Sequence, residues 1–354
     1  MTCAKVLVTG TGSILGQGII KSLKLSNTQH SSPVTYKIFA ADMSPQAAGL
    51  YRCDKAFLIS APSSDDYGQK IIRICKENDI DAIFVGTDEE IIPLVDLKDQ
   101  IKKESEAVVI TNPKDVIEMA SDKWATYEYL TKNNVSCAQS ALPEDKDSFV
   151  GEFGFPIVVK PRQGHGSLHF YIVHNYDELR HAISSIESVG WQPILQEYLD
   201  GDNNEFTSGI TIDKTGNFVM SSISMRKTLK NGQTYKALID DFDSVRMAAQ
   251  EVAIKTGAKG PINIQAKTVD DESKVFEINA RFSATCPLRA VAGINEPDII
   301  YRNVVLDEKI KINSYQKLAC MRYWSEVYVP ISTYEQVSSA KTIQNPNSDI
   351  PSYF

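Results

Sequence analysis

The chain has 354 residues, 42% of them hydrophobic and 23% charged, which is the composition of an ordered globular protein rather than a disordered or fibrous one. Its formal net charge of −8 argues against a general nucleic-acid binder, which needs an electropositive face to displace counterions from phosphate. No apolar run approaches the roughly 20 residues of a membrane span. No secretory leader is expected in MTCAKVLVTG, and six cysteines without a Cys-x-x-Cys pair are expected as reduced thiols of a cytoplasmic protein.

In chain order, residues 5–9 (KVLVT) read as a strand, followed by a glycine-rich turn and a helix over about 16–25 with Ile19, Ile20 and Leu23 on one face. A second strand over 36–41 ends at Asp42, a helix covers 67–78, and a third strand over 82–85 runs into GTDEE. This alternation predicts a parallel, doubly wound sheet over residues 1–112. Ligands of such sheets sit beyond the carboxyl ends of the strands, here residues 10–16, Asp42 and residues 86–89. A dinucleotide site fits poorly. The glycines fall at 10, 12, 16 and 18 with Leu15 where the third glycine of the fingerprint belongs, and the Tyr51/Lys55 pair lies too early for a short-chain dehydrogenase.

Residues 115–132 have helical spacing, and Asp122-Lys123 inside them reads either as a cap with a solvated base or as part of a site. In FPIVVKPRQGHGS (155–167) the β-branched Ile157, Val158 and Val159 make a buried strand that delivers Lys160 and stops at Pro161. The loop that follows, with Gly164 and Gly166, lets backbone N–H groups approach an anion, and an ammonium beside it suits a polyphosphate. An ordinary strand-to-strand turn explains the segment equally well. A strand near 170–173 and a helix over 176–188 complete a compact α+β lid. His165, His169 and His174 make a weak metal cluster, because no carboxylate or cysteine is spaced with them.

Residues 194–198 are strand-like, 200–204 form a turn, and Glu205 opens a strand that continues to residue 212. A free backbone edge at 196–199 can pair with an adenine ring while Glu205 accepts from ribose hydroxyls. In KVFEINARFS the period-2 alternation places Glu277, Asn279 and Arg281 on one face, beside Asn263 and Gln265 from a neighbouring antiparallel strand over 261–267. Hard oxygen ligands of this kind suit Mg²⁺ held against phosphates, and the arginine suits a developing oxyanion. A structural ion-pair network is the competing explanation. The strand-like residues 320–329 are expected to complete the second sheet, and residues 344–354 to form a surface tail.

Taken together, Asp122-Lys123, Val159-Lys160-Pro161 with Gly164 to Ser167, Gln196-Glu197-Tyr198-Leu199, Glu205, Asn263-Ile264-Gln265 and Glu277-Ile278-Asn279-Ala280-Arg281 resemble the ATP-grasp superfamily, most closely its carbamoyl-phosphate synthase large-subunit-like branch. The resemblance covers nearly the whole chain and implies an α/β Rossmann-like N-terminal domain (1–112) followed by an α+β, two-lobed ATP-grasp domain (113–354) with a lid at about 125–192. It also implies roles. Lys123 and Lys160 would contact ATP phosphates, and Gln163, Gly164, His165, Gly166 and Ser167 would form the closing loop. Gln196, Glu197, Tyr198 and Leu199 would hold adenine and Glu205 the ribose. Gln265, Glu277 and Asn279 would ligate Mg²⁺, Arg281 would face the transferred phosphoryl group, and Arg226 would clamp a substrate carboxylate. Many members carry an acidic residue where Gln265 stands, so a second metal position would hold less negative charge here. The activity implied is an ATP-dependent carboxylate–amine ligase working through an acyl phosphate on small molecules, with no nucleic-acid or membrane partner and with a homodimer allowed. A non-ligating relative, either a small-molecule kinase or an ATP-binding regulator, is the alternative. One ATP-grasp unit fits in this length, and a single acylation step follows.

Overall fold

The computed structural model describes residues 2–29, 32–164, 168–201, 204–346 and 348–350. Five strands, β1 (Thr2–Val8), β2 (Val34–Asp42), β3 (Lys55–Leu58), β4 (Ala82–Phe84) and β5 (Val108–Ile110), form a parallel sheet in the order 3-2-1-4-5. Alternation along β1 splits the core between its faces. Leu7 packs with Ile71 and Cys75 of α2 (Tyr67–Asn78) and Leu94 of α3 (Asp88–Ser105), whereas Val6 and Val8 pack with Ile19 and Leu23 of α1 (Ile14–Gln29). The parallel, doubly wound sheet expected from the sequence is therefore present, with β3, β5 and α3 in addition. Helix α3 carries Pro93 inside it, which breaks the helical pattern to the eye.

Two short helices, α4 (Lys114–Ser121) and α5 (Lys123–Lys132), replace the single helix expected over 115–132. The break is at Asp122, whose extended backbone (φ −113°, ψ 115°) lets its carboxylate cap α5 by accepting from Trp124 N and Ala125 N. Next, β6 (Ser140–Ala141), β7 (Ile157–Pro161), β8 (Tyr171–Val173) and β9 (Pro193–Glu197) form an antiparallel sheet in the order 6-9-7-8. It is backed by α6 (Lys146–Phe153) and α7 (Tyr176–Ser188), with Phe149, Leu179 and Ile186 in its core.

A six-stranded antiparallel sheet follows: β10 (Glu205–Ile212), β11 (Val219–Lys230), β12 (Gln233–Ile239), β13 (Pro261–Val269), β14 (Glu272–Asn279) and β15 (Leu318–Met321), in the order 14-13-10-11-12-15. One face sets Ile210, Ile264 and Ile278 against α8 (Asp243–Lys255). The opposite face carries Ile223 and Met225 into a cluster with Ile294 and Ile299, around α9 (Cys286–Val291) and α10 (Glu296–Val304). Residues 318–321 do complete this sheet, but the strand stops at Met321; within 322–329 Tyr328 forms an isolated bridge, to Asp349.

The chain then returns to its beginning. Helix α11 (Ile331–Ala340) and β16 (Thr342–Gln344) add an antiparallel strand to the free edge of β3, pairing Ile343 with Ala56 and burying Val337 and Ile343 against Ala40, Leu50 and Tyr51. This segment was expected with the second domain, and Gln344 with a surface tail; instead they close the first sheet.

Candidate functional site

The site lies where the three sheets meet. Strand β7 projects Lys160 into the interior, where its Nζ donates to Gln196 Oε1 on β9 at 2.8 Å and stands 5.8 Å from the Phe276 ring centre. Burial is the main reason its ammonium is pushed down to about 8; Glu277 and Glu205 pull it up, and Lys123 pushes it further down. Lys160, Lys123, Glu205 and Glu277, spread over 155 positions of sequence, thus share one electrostatic neighbourhood. Lys123 starts α5, its backbone N–H donating to Arg162 O at 2.9 Å and its Nζ to Gly164 O at 3.0 Å. Asp122 fixes that helix start from the other side, pairing with Arg162 at 2.5 Å. Burial raises the Asp122 carboxyl, but Arg162 and the two capped amides outweigh it and hold it below the usual carboxylate range.

Opposite the lysines, the expected polar row is on one sheet face. The register sets Gln265 against Glu277 and Asn263 against Asn279. Glu277 Oε1 accepts from Gln265 Nε2 at 3.0 Å and from Asn279 Nδ2 at 2.9 Å. Burial drives the Glu277 carboxyl upward, yet Lys123, Lys160, the Asn279 amide and Lys227 together hold it below its ordinary range. Arg281 is half-buried, its side chain 19% exposed. Its guanidinium grips Asp88 of α3 at 2.6 and 3.1 Å, tying the row at the end of β14 to the GTDEE segment of the first domain. Burial lowers its pKa, but Asp88, Glu277 and Glu89 more than compensate. Lys123, Gly164, Glu277, Asn279, Arg281 and Asp88 line one cavity.

Several expectations need correction. Strand β9 is flanked on both sides through Glu197, with Gln196 opposite Ser140 and Glu197 opposite Ile157, so no free edge exists at Gln196 or Glu197. The Gln196 side chain holds Lys160, and the Glu197 carboxylate accepts from Gln139 N and pairs with Lys274 at 3.0 Å. Only beyond Glu197, at Tyr198 and Leu199, does the backbone leave the ladder, and there Lys267 Nζ donates to Leu199 O at 2.8 Å. Arg226 does not reach the cleft: it lies on the α8 face of β11 with its guanidinium carbon 5.8 Å from the Phe242 ring centre. Its neighbour Lys227 points the opposite way. The Lys227 side chain is 6% exposed, stands 2.9 Å from Glu205 and donates to Gln265 Oε1. Gln163 is exposed, and His165, Gly166 and Ser167 lie outside the described residues. Among the described residues no cluster of histidine, cysteine or acidic side chains could hold a metal by itself, and His169 contacts Tyr171 and Trp191 rather than His174.

In the first domain, Asp42 accepts from Gly12 N at 2.7 Å and Ser44 N at 2.9 Å. It braces the glycine turn, so the acidic group a dinucleotide ribose would require is already engaged.

As for a divalent cation, the donor set fits one. Glu277 Oε2 and Asn279 Oδ1 accept no hydrogen bond from the described residues and are hard oxygens on one face. Gln265 does not fit, because its oxygen is taken by Lys227 and its amide group by Glu277.

Comparison with known proteins gives the following. Residues 7–109 match the family model of the PylC-like N-terminal domain and residues 120–285 that of the ATP-grasp domain. Carbamoyl phosphate synthase large chains are similar over much of the chain: that of Agathobacter rectalis is 25% identical over 97% of this chain and 33% of its own length, and that of Helicobacter pylori 24% identical over 67% and 23%. The chain therefore spans a third or less of those relatives. Among solved structures, the N5-carboxyaminoimidazole synthetase of Staphylococcus aureus complexed with ADP superposes with a TM-score of 0.69 at 16% identity, covering 91% of this chain and 83% of that one. The biotin carboxylase domain dimer of Hydrogenobacter thermophilus 2-oxoglutarate carboxylase, with MgADP, ADP and bicarbonate, gives a TM-score of 0.68 at 17% identity over 92% and 79%.

Proposed function

We propose, for a chain that belongs to the ATP-grasp superfamily, that it is an ATP-dependent ligase that activates a small-molecule carboxylate as an acyl phosphate and couples it to an amine. The observation that carries this is the convergence of Lys123, Glu277, Asn279 and Arg281 on one cavity, with Lys160 buried beside them. Lys123 and Lys160 would bind the triphosphate, Tyr198 and Leu199 the adenine, and Glu205 the ribose hydroxyls. Glu277 and Asn279 would hold one Mg²⁺, which when bound would draw negative charge off the phosphates.

In the first step a substrate carboxylate oxygen attacks the γ-phosphorus, the bond to the β-phosphate oxygen breaks, and ADP leaves. The amine then attacks the acyl carbon, forming the C–N bond as inorganic phosphate departs and the amine loses a proton. Both steps ask the protein for position and charge neutralisation rather than for a side-chain nucleophile. Arg281 is aimed by Asp88 and would steady the equatorial oxygens. An anionic substrate is supported by positive charge beside residues 281–284: Arg322 donates to Ala284 O at 2.6 Å, and burial together with nearby Arg322 and Arg52 lowers the pKa of Lys21.

A panel of amino acids and other small carboxylic acids incubated with Mg-ATP and hydroxylamine tests this. Hydroxamate formed together with ADP supports the ligase. ADP with a stable phosphorylated product makes the protein a kinase, and tight ATP binding without turnover makes it a regulator. A homodimer and a cytoplasmic location belong to the same proposal. Among the described residues no helix is long and apolar enough to cross a membrane, and all six cysteines are free thiols.

A further inference from the structure

Lys227 belongs to none of the motifs that point to the cleft, yet it sits among them. The register that sets Phe206 against Arg226 brings Lys227 opposite Glu205, on the cleft face of the sheet. Its ammonium is 2.9 Å from Glu205 Oε1 and donates to Gln265 Oε1; Gln265 Nε2 in turn donates to Glu277 Oε1 at 3.0 Å. These partners fix the amide orientation. Reversing Gln265 would set its N–H groups against the Lys227 ammonium and its oxygen against the Glu277 carboxylate, two repulsions in place of two attractions.

Resting on the nucleotide-cleft reading above, we propose that Lys227 is a permanent cation of the cleft, so that the site takes up one divalent cation with its nucleotide and not two. A metal bridging Gln265 and Glu277 would have to displace an ammonium from Gln265 Oε1 and face an N–H directed at Glu277. Neither contact accepts a cation. The open oxygens, Glu277 Oε2 and Asn279 Oδ1, define one position only. Lys227 balances the Glu205 carboxylate and orients it for ribose, while Gln265 passes the same positive charge on as a hydrogen bond to Glu277. Lys227 is thus a positioning residue that acts through Glu205, Gln265 and Glu277.

Mn²⁺ binding to the full chain, followed by electron paramagnetic resonance at saturating adenylyl imidodiphosphate, tests the assignment without turnover. The native chain is expected to take up one Mn²⁺. A chain with Lys227→Met and Gln265→Glu together, which sets a bare carboxylate beside Glu277, is expected to take up two. Lys227→Met alone should weaken nucleotide binding by about tenfold or more, because a charge-assisted contact is lost and Glu205 is left unpaired; Lys227→Arg should restore most of it. Two Mn²⁺ in the native chain, one in the double variant, or unchanged affinity in Lys227→Met would each overturn the proposal. If the methionine variants do not fold, the native stoichiometry still decides. A native chain that binds no nucleotide overturns the ligase reading together with this one, whereas binding with two Mn²⁺ overturns this one alone.

Discussion

Lys160 shows how a residue already pointed out by its strand acquires its chemistry from its surroundings. Three β-branched residues carry it inside, and burial then lowers its pKa to about 8 from an ordinary 10.5. Between those values the unfolded chain binds the proton that the folded chain has lost, so this residue makes stability rise as pH climbs from about 8 towards 10.5. Nucleotide binding should run the opposite way, since a triphosphate prefers the charged lysine. ATP affinity measured by calorimetry is therefore expected to fall between pH 7.5 and 9.5, and Lys160→Met should flatten that dependence while weakening binding at pH 7.5 by about tenfold or more; a native profile without slope would remove Lys160 from the phosphates. For Glu277→Ala, turnover should drop at least about a hundredfold, the scale seen when a preorganised electrostatic group is removed. Its thermal midpoint should fall as well, because Lys123, Lys160 and Lys227 lose the carboxylate they share, so turnover is compared well below that midpoint. Retained Mg-dependent turnover would refute the role given to it.

At the scale of elements, the helix break at Asp122 is the device that places Lys123. Removing the cap with Asp122→Ala should cost about 1–2 kcal/mol in urea unfolding, and it also leaves Arg162 without the partner it holds at 2.5 Å. Nucleotide affinity should fall with it, since Lys123 loses its fixed start. Asp122→Asn keeps a capping oxygen and should recover most of the stability; equal losses in both variants would mean that the ion pair, not the cap, matters. The same break explains what the sequence could tell. The apolar spacing of α4 and α5 runs on through Asp122 and reads as one helix, whereas the turn is made by a side chain bonding to backbone, which periodicity does not record. The row on β14 was legible because alternation on a strand is unambiguous. Arg226 and Lys227 were not, because adjacent residues face opposite ways and only the hairpin fixes which one enters the cleft. The signal was there: Asn231-Gly232, both in the left-handed region at φ 51° and 72°, form the two-residue turn between β11 and β12. Helix α3 was hidden by Pro93, and Asp88 at its start is the partner that aims Arg281.

At the scale of the molecule, alternating strands and helices were enough to foresee the first sheet, and the order of motifs enough to foresee a second, antiparallel one. What local pattern could not carry was the closing of the first sheet by residues 342–344, where Ile343 pairs with Ala56 and the hydrogen bond from Thr342 Oγ1 to Ala56 O spans 286 positions. Shortening the chain after residue 330 should therefore destabilise the N-terminal domain, although nothing in that domain's own sequence is changed. Loss of buried Val337 and Ile343 implies about 3–5 kcal/mol at the usual value for burying such side chains, read as an earlier thermal transition; an unshifted transition would mean the strand is ornamental. The consequence reaches into biosynthesis. A ribosome releases β3 nearly three hundred residues before its outer neighbour exists, so for most of translation the nascent domain presents an open row of amide and carbonyl groups to whatever strand passes by. Exposure of that rim ends only when synthesis has passed through the two antiparallel sheets, so of the three sheets the one made first is the last to be finished.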